Sequence, residues 1–229
     1  MQNAVPDEVA LRSLSDRHAT YASEVERLLR AGVEIMRRTQ SINPKVSDVV
    51  RQAGLSNQAF YRHFRSKDDL LIAILDDGSR QLVDYLTHLM AKEARPIGKI
   101  RRWTEGVMAQ AVNPVAADAT RPFVVDSLRL ANQYPEHAMR SEERLRAPLS
   151  EAIAEAAASH ELSSSDPVRD AEVVYHLTFA TMHGYLMRGE VPTHADVEHL
   201  VEFVLAGLAR DARGPLAVSG RTAGRRRGA

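Results

Sequence analysis

Apolar residues recur at helical spacing along most of this 229-residue chain, and its larger C-terminal part shows no alternating strand pattern. From Tyr21 to Arg38, Val25, Leu28, Leu29, Gly32, Ile35 and Met36 keep that spacing and predict a first helix. Residues 1–20 are expected to form a flexible arm ahead of it. Ser41–Pro44 breaks the pattern. Two short helices follow, over 46–53 and 57–63, and a longer one begins near Ser66 and runs on through Leu89. Further helices are predicted over 97–112, 119–132, 136–160, 167–189 and 194–210. Pro96, Pro114, Pro135, Pro167 and Pro192 fall near their starts or breaks, as proline should. Pro148 falls inside 136–160 and predicts a kink or break. The fold expected is all-α: a small N-terminal three-helix domain over 21–68, a larger helical domain over 69–211, and a Gly- and Arg-rich disordered tail over 212–229.

The most informative segment is Lys45–Leu71. Val46, Val49 and Val50 stripe the first short helix at i, i+3, i+4. Gly54 supplies the backbone freedom of a tight turn, and Ser56 is a natural N-cap for the next helix. Ala59, Phe60 and Phe64 form that helix's inner side, which leaves Asn57 and Gln58 outward in its first turn. Such a helix-turn-helix can lay its second helix in a DNA major groove with its N-terminal residues at the base edges. Asn and Gln pair well with adenine, at ~1–3 kcal/mol per good pair. Ser66, with Asp68 and Asp69 behind it, caps the longer helix.

Ala53-Gly54-Leu55-Ser56, then Tyr61-Arg62-His63-Phe64, then Ser66-Lys67-Asp68-Asp69-Leu70-Leu71 resemble the DNA-binding domain of the TetR family. The motifs occur in the family's order and at its spacing, and the resemblance covers roughly residues 22–75. It implies that Ser56, Asn57, Gln58, Tyr61, Arg62, His63 and Lys67 face DNA. Lys45 stands where the family often has threonine and is expected to reach a phosphate. The resemblance also implies a homodimer on a double-stranded DNA operator, joined by a four-helix bundle across a two-fold axis. A small-molecule effector would bind the 69–211 domain, and release of a repressor from a palindromic operator is the expected activity. The rival readings are an effector-independent architectural or recruiting DNA-binding protein, and a helical-bundle enzyme or sequestering protein that retains the head.

Net charge is zero, which alone argues against nucleic-acid binding, but its distribution reverses that. Residues 10–67 carry 11 basic and 5 acidic groups, residues 80–210 carry 14 and 18, and the last 18 residues hold five Arg and no acid. A basic head on an acidic body points one end at phosphates. The chain has no Cys, which excludes disulfides and thiolate metal sites and suits a cytoplasmic protein. Its start has no secretory pattern, and no run of about 18 apolar residues spans a membrane. Zinc, P-loop and dinucleotide motifs are absent, and no local nucleophile constellation marks an enzyme. No cofactor is expected.

In the body, Trp103, Met108, Phe123, Tyr134, Tyr175, His176, Phe179, Met182 and His183 are the candidate effector lining. Aromatic, Met and His groups without clustered charge favour a largely apolar ligand. His176 and His183 lie two turns apart, ~10.5 Å of rise, so one metal ion cannot bridge them. The 167–189 segment is apolar nearly all round, which predicts burial on every side: against the core, and against a second subunit. Tyr185, Val201, Leu205 and Leu208 are the candidate dimer residues.

Overall fold

The structure, a computed structural model, describes residues 4–209, with side chains from residue 19 onward. Among the described residues it is built of ten α-helices and contains no strand. The tail over 212–229 lies outside them. None of the described helices is long and apolar enough to cross a membrane.

Helix α1 (Ala4–Thr39) starts well before Tyr21, so most of the expected arm is helical. Pro6 sits in its first turn, where no intrahelical bond is lost. No further Pro or Gly occurs until Gly32, so backbone propensity carries the helix through a stretch with no apolar stripe. Helices α2 (Val46–Ala53) and α3 (Asn57–His63) take the predicted bounds, and α4 (Lys67–Met90) begins at the predicted cap. The Ser66 hydroxyl accepts from the Asp69 amide at 3.1 Å. Leu28, Ile35, Met36, Val49, Phe60, Phe64, Leu70 and Ile74 close the head's core.

The body comprises α5 (Pro96–Val112), α6 (Pro114–Val125), α7 (Ser127–Gln133), α8 (Pro135–Ala158), α9 (Pro167–Arg188) and α10 (His194–Leu208). Four of these open on proline, whose fixed φ suits the first turn and whose missing N–H costs nothing there. The helix predicted over 119–132 is two helices instead. Asn113 caps the first by accepting from the amides of Val115 and Ala116, so α6 starts five residues early, and the backbone leaves helical geometry at Asp126. Helix α8 runs unbroken through Pro148, because burial of Leu145, Leu149, Ala152 and Ile153 outweighs one lost backbone bond. Helix α4 joins the two cores. Its Leu70, Leu71 and Ile74 belong to the head, while Leu86 and Met90 belong to the body. Gly106 allows α5 to approach it closely: a Cβ there would lie 2.6 Å from Leu86 Cδ2.

Head and body also meet through α6 and α7. Leu130 is buried in the head's core, and Arg37 lies 3.9 Å from Asp118. Pro122 lacks the N–H that would pair with the Asp118 carbonyl, and Gln40 Nε2 donates to that carbonyl at 3.4 Å.

Candidate nucleic-acid interface

The turn between α2 and α3 has the geometry its sequence demands. Gly54 takes φ 63°, ψ 38°, a left-handed conformation that costs glycine little. The Ser56 hydroxyl accepts from the Ala59 amide at 3.1 Å and so caps α3. Phe60, fully buried, and Ala59 lock one side of α3 into the head. That leaves Asn57, Gln58, Tyr61 and Arg62 outward, with Tyr61 60% exposed. Lys45 and Lys67 are exposed on either side of the unit. Lys45 occupies the N-cap of α2 but makes no side-chain cap bond, since an ammonium cannot accept one. Lys67 Nζ donates to Asn43 Oδ1 at 2.5 Å. Three cations, two amides and a phenol therefore share the outward surface.

His63 does not join them. Its side chain is fully buried, with Nε2 2.6 Å from Glu24 Oε2 and its ring against Tyr21. The expectation that it contacts DNA is corrected: a ring folded onto α1 presents nothing to a phosphate. Arg62 is outward but tethered, its Nη2 3.2 Å from the same Glu24 oxygen. The Glu24 carboxyl is held below its ordinary value, first by the His63 hydrogen bond and then by the nearby guanidinium groups of Arg62 and Arg27, against the opposing effect of burial.

Four of the nine candidate effector residues form one aromatic group between α5 and α9, with two methionines beside it. Tyr175 stacks on Phe179 at 4.4 Å, the Trp103 ring lies 6.3 Å from both, and His183 meets Phe179 edge-on at 6.0 Å. Met182 and Met108 are buried in the same body core. Burial pushes the Tyr175 phenol up and the His183 imidazole down, so both favour their neutral forms. Three candidates are not part of that buried group. His176 meets Tyr175 edge-on at 5.3 Å but is 58% exposed and points toward Glu142 at 3.6 Å. Phe123 packs against the head's core, not the body's. Tyr134 does likewise, and it lines a cleft of about 220 Å³ between head and α7 with Lys67, Asp68 and Arg129.

The dimer candidates also divide. Val201 and Leu208 are buried within the subunit itself. Leu205 and Tyr185 are half-buried against the body's core. The outward large apolar groups of the last two helices are Val168, Val173 and Met187 on α9 and Phe203 on α10, each about three-fifths exposed. Phe203 escaped the sequence reading because α10 is apolar on more than one side. Tyr21, Glu24 and Arg27 escaped it too; their only signal was polar residues repeating every three positions on α1.

The family profile described as bacterial regulatory proteins of the tetR family matches residues 43–74. No curated protein sequence matches the chain. Among solved structures, the chain is similar to Escherichia coli NemR in its reduced form. The TM-score is 0.67 at 19% identity, over 82% of this chain and 98% of that one. A TetR-family transcriptional regulator from Streptomyces coelicolor matches with TM-score 0.63 at 18% identity, over 82% and 97%. Bacillus subtilis FadR, solved with stearoyl-CoA, matches with TM-score 0.60 at 16% identity, over 80% and 97%.

Proposed function

We propose that this chain, whose head matches the tetR-family profile over residues 43–74 and whose fold is similar to NemR's, is a TetR-family regulator acting as a homodimeric repressor. Each subunit lays α3 in a major groove of a palindromic operator. The two grooves lie ~34–36 Å apart or a multiple of that. Asn57 and Gln58 read base edges, while Lys45, Tyr61, Arg62 and Lys67 hold phosphates. The observation that carries this reading is the outward surface of α3, polar and cationic over a fully buried Phe60.

Footprinting on the DNA flanking its own gene tests it. On that site Lys67→Ala is expected to weaken binding to every sequence and flatten the log–log salt slope by roughly one unit. Gln58→Ala is expected to relax preference at one base position. An unchanged slope for Lys67→Ala removes the phosphate role.

The aromatic group of Trp103, Tyr175, Phe179 and His183 supports a largely apolar effector, with His183 as an orienting hydrogen-bond group. The stearoyl chain of the acyl-CoA bound in the Bacillus subtilis structure is of that apolar kind, although its CoA group is charged. Such a ligand favours a conformation whose heads no longer match the groove spacing, with α4 as pivot and coupling of ~1–3 kcal/mol. A thermal-shift screen of apolar, zwitterionic and strongly anionic compounds should find stabilisers in the apolar class, by ~2.7 kcal/mol at a hundredfold excess over Kd. Stabilisation and DNA release by highly charged compounds alone contradicts this pocket chemistry and leaves the regulator reading intact.

A further inference from the structure

Tyr21, Glu24 and Arg27 stand at i, i+3 and i+6 on α1 and form one polar stripe turned toward the helix-turn-helix. The C-terminal ends of both motif helices are tied to it. Arg27 takes the end of α2: Nε donates to the Ala53 carbonyl at 3.0 Å, and Nη2 donates to the carbonyls of Ala53 at 2.5 Å and Gly54 at 3.0 Å. A helix C-terminus leaves such carbonyls without intrahelical donors. One turn earlier, Glu24 takes the end of α3, accepting from His63 Nε2 at 2.6 Å and Arg62 Nη2 at 3.2 Å. Tyr21 closes over His63, ring centroids 4.2 Å apart and nearly perpendicular. His63 Nδ1 is buried and has no hydrogen-bond partner, so Glu24 is the polar tie of that ring.

We propose that Tyr21, Glu24 and Arg27 are positioning residues that set the angle between α2 and α3, and with it sequence specificity, without touching DNA. The proposal rests on the DNA-binding reading above. Two helices that diverge from one tight turn keep a hinge freedom at that turn. Arg27 holds the turn itself to α1, and Glu24 holds the far end of α3 one turn away on the same helix, ~4.5 Å, so α3 cannot swing about the turn. Base readout by Asn57 and Gln58 needs hydrogen-bond geometry, which a small tilt of α3 spoils. Phosphate contacts by long, flexible cations tolerate the same tilt. The clamp therefore governs discrimination between sequences, not general affinity.

The test uses the full chain, a 30-bp duplex selected by the wild-type protein from a random pool, and a scrambled duplex of equal length. His63→Ala is expected to lower the ratio of selected to scrambled affinity about ten- to hundredfold, the worth of one lost base contact. Affinity for the scrambled duplex and the salt slope should stay as they are. His63→Gln, whose amide can reach Glu24, should recover most of the ratio. Arg27→Met keeps the aliphatic stem and removes the other tie, so it should lose the ratio in the same way. If His63→Ala flattens the salt slope by about one unit, His63 is a phosphate contact and the clamp is overturned. Unchanged discrimination in Arg27→Met overturns it equally, as does a failure of His63→Gln to recover the ratio. Should His63→Ala lose its helical circular dichroism, the Gln and Met variants decide alone. A wild-type protein that selects no duplex over scrambled DNA defeats the DNA-binding reading itself, which is a different result from any of these.

Discussion

Phe203→Glu is expected to turn the dimer into a monomer and to cut operator affinity by about 10²–10⁴-fold, the range that linking two binding modules supplies. Phe203 is 62% exposed on α10, as Val173 and Met187 are at 61% and 58% on α9. On α9, Val173, Ala180, Gly184 and Met187 share one face; on α10, Phe203, Ala206 and Gly207 do. A Cβ at Gly207 would meet nothing within 4 Å, so nothing in the subunit itself fills that surface. Soluble monomers rarely leave a large contiguous apolar patch in water. In the proposed dimer a two-fold partner would cover it with the same patch, and the small residues would let the helices approach closely. A glutamate at the centre would bring two unpaired carboxylates into the interface, a cost that apolar burial cannot offset. Sedimentation velocity at micromolar concentration and gel shift on the footprinted site measure the two effects. Val115→Glu, at an exposed position on α6, is the control and should remain dimeric. A Phe203→Glu protein that sediments as the wild type does would refute this face as the interface.

What could be read from the sequence divides along the range of the forces involved. The α2–α3 unit was legible because its determinants are local: a valine stripe, a glycine at φ 63°, and a serine three residues before the amide it caps. The start of α4 was legible for the same reason. His63 was not, because its orientation depends on Glu24, 39 residues away, and its phase on a short helix allows either side. Val201 and Leu208 were misplaced because apolar residues occupy more than half of α10, so helical phase alone does not say which side the subunit keeps. Phe123 and Tyr134 show a related limit: composition marks them as core residues, but only the packing of α6 and α7 against α1 and α4 says which core. The extension of α1 to Ala4 rests on propensity and carries no apolar period that would mark it. The break at Asp126 has neither Gly nor Pro beside it, and the segment before it was displaced by the Asn113 cap.

The largest stability loss from a single truncation is expected at Trp103. Its side chain is fully buried and ties three helices together. From α5, the indole Nε1 donates to the Leu145 carbonyl of α8 at 3.1 Å, and the ring faces Tyr175 and Phe179 of α9 at 6.3 Å. Trp103→Ala leaves a cavity and a buried carbonyl without its indole donor, so a cost of about 3–5 kcal/mol follows. At roughly 2–4 °C per kcal/mol for a chain of this size, Tm should fall by about 6–20 °C. Trp103→Phe refills much of the space but not the hydrogen bond, and should fall between the alanine variant and the wild type. Thermal melts followed by circular dichroism read all three without depending on the lost fluorophore. Because apolar cavities of this kind stay dry and accept small aromatic molecules, indole should raise the Tm of Trp103→Ala and leave the wild type unmoved. A fall of less than about 3 °C would mean that the core closes over the gap and that Trp103 is not the tie among α5, α8 and α9. Equal shifts with indole in both proteins would instead place its binding site away from Trp103.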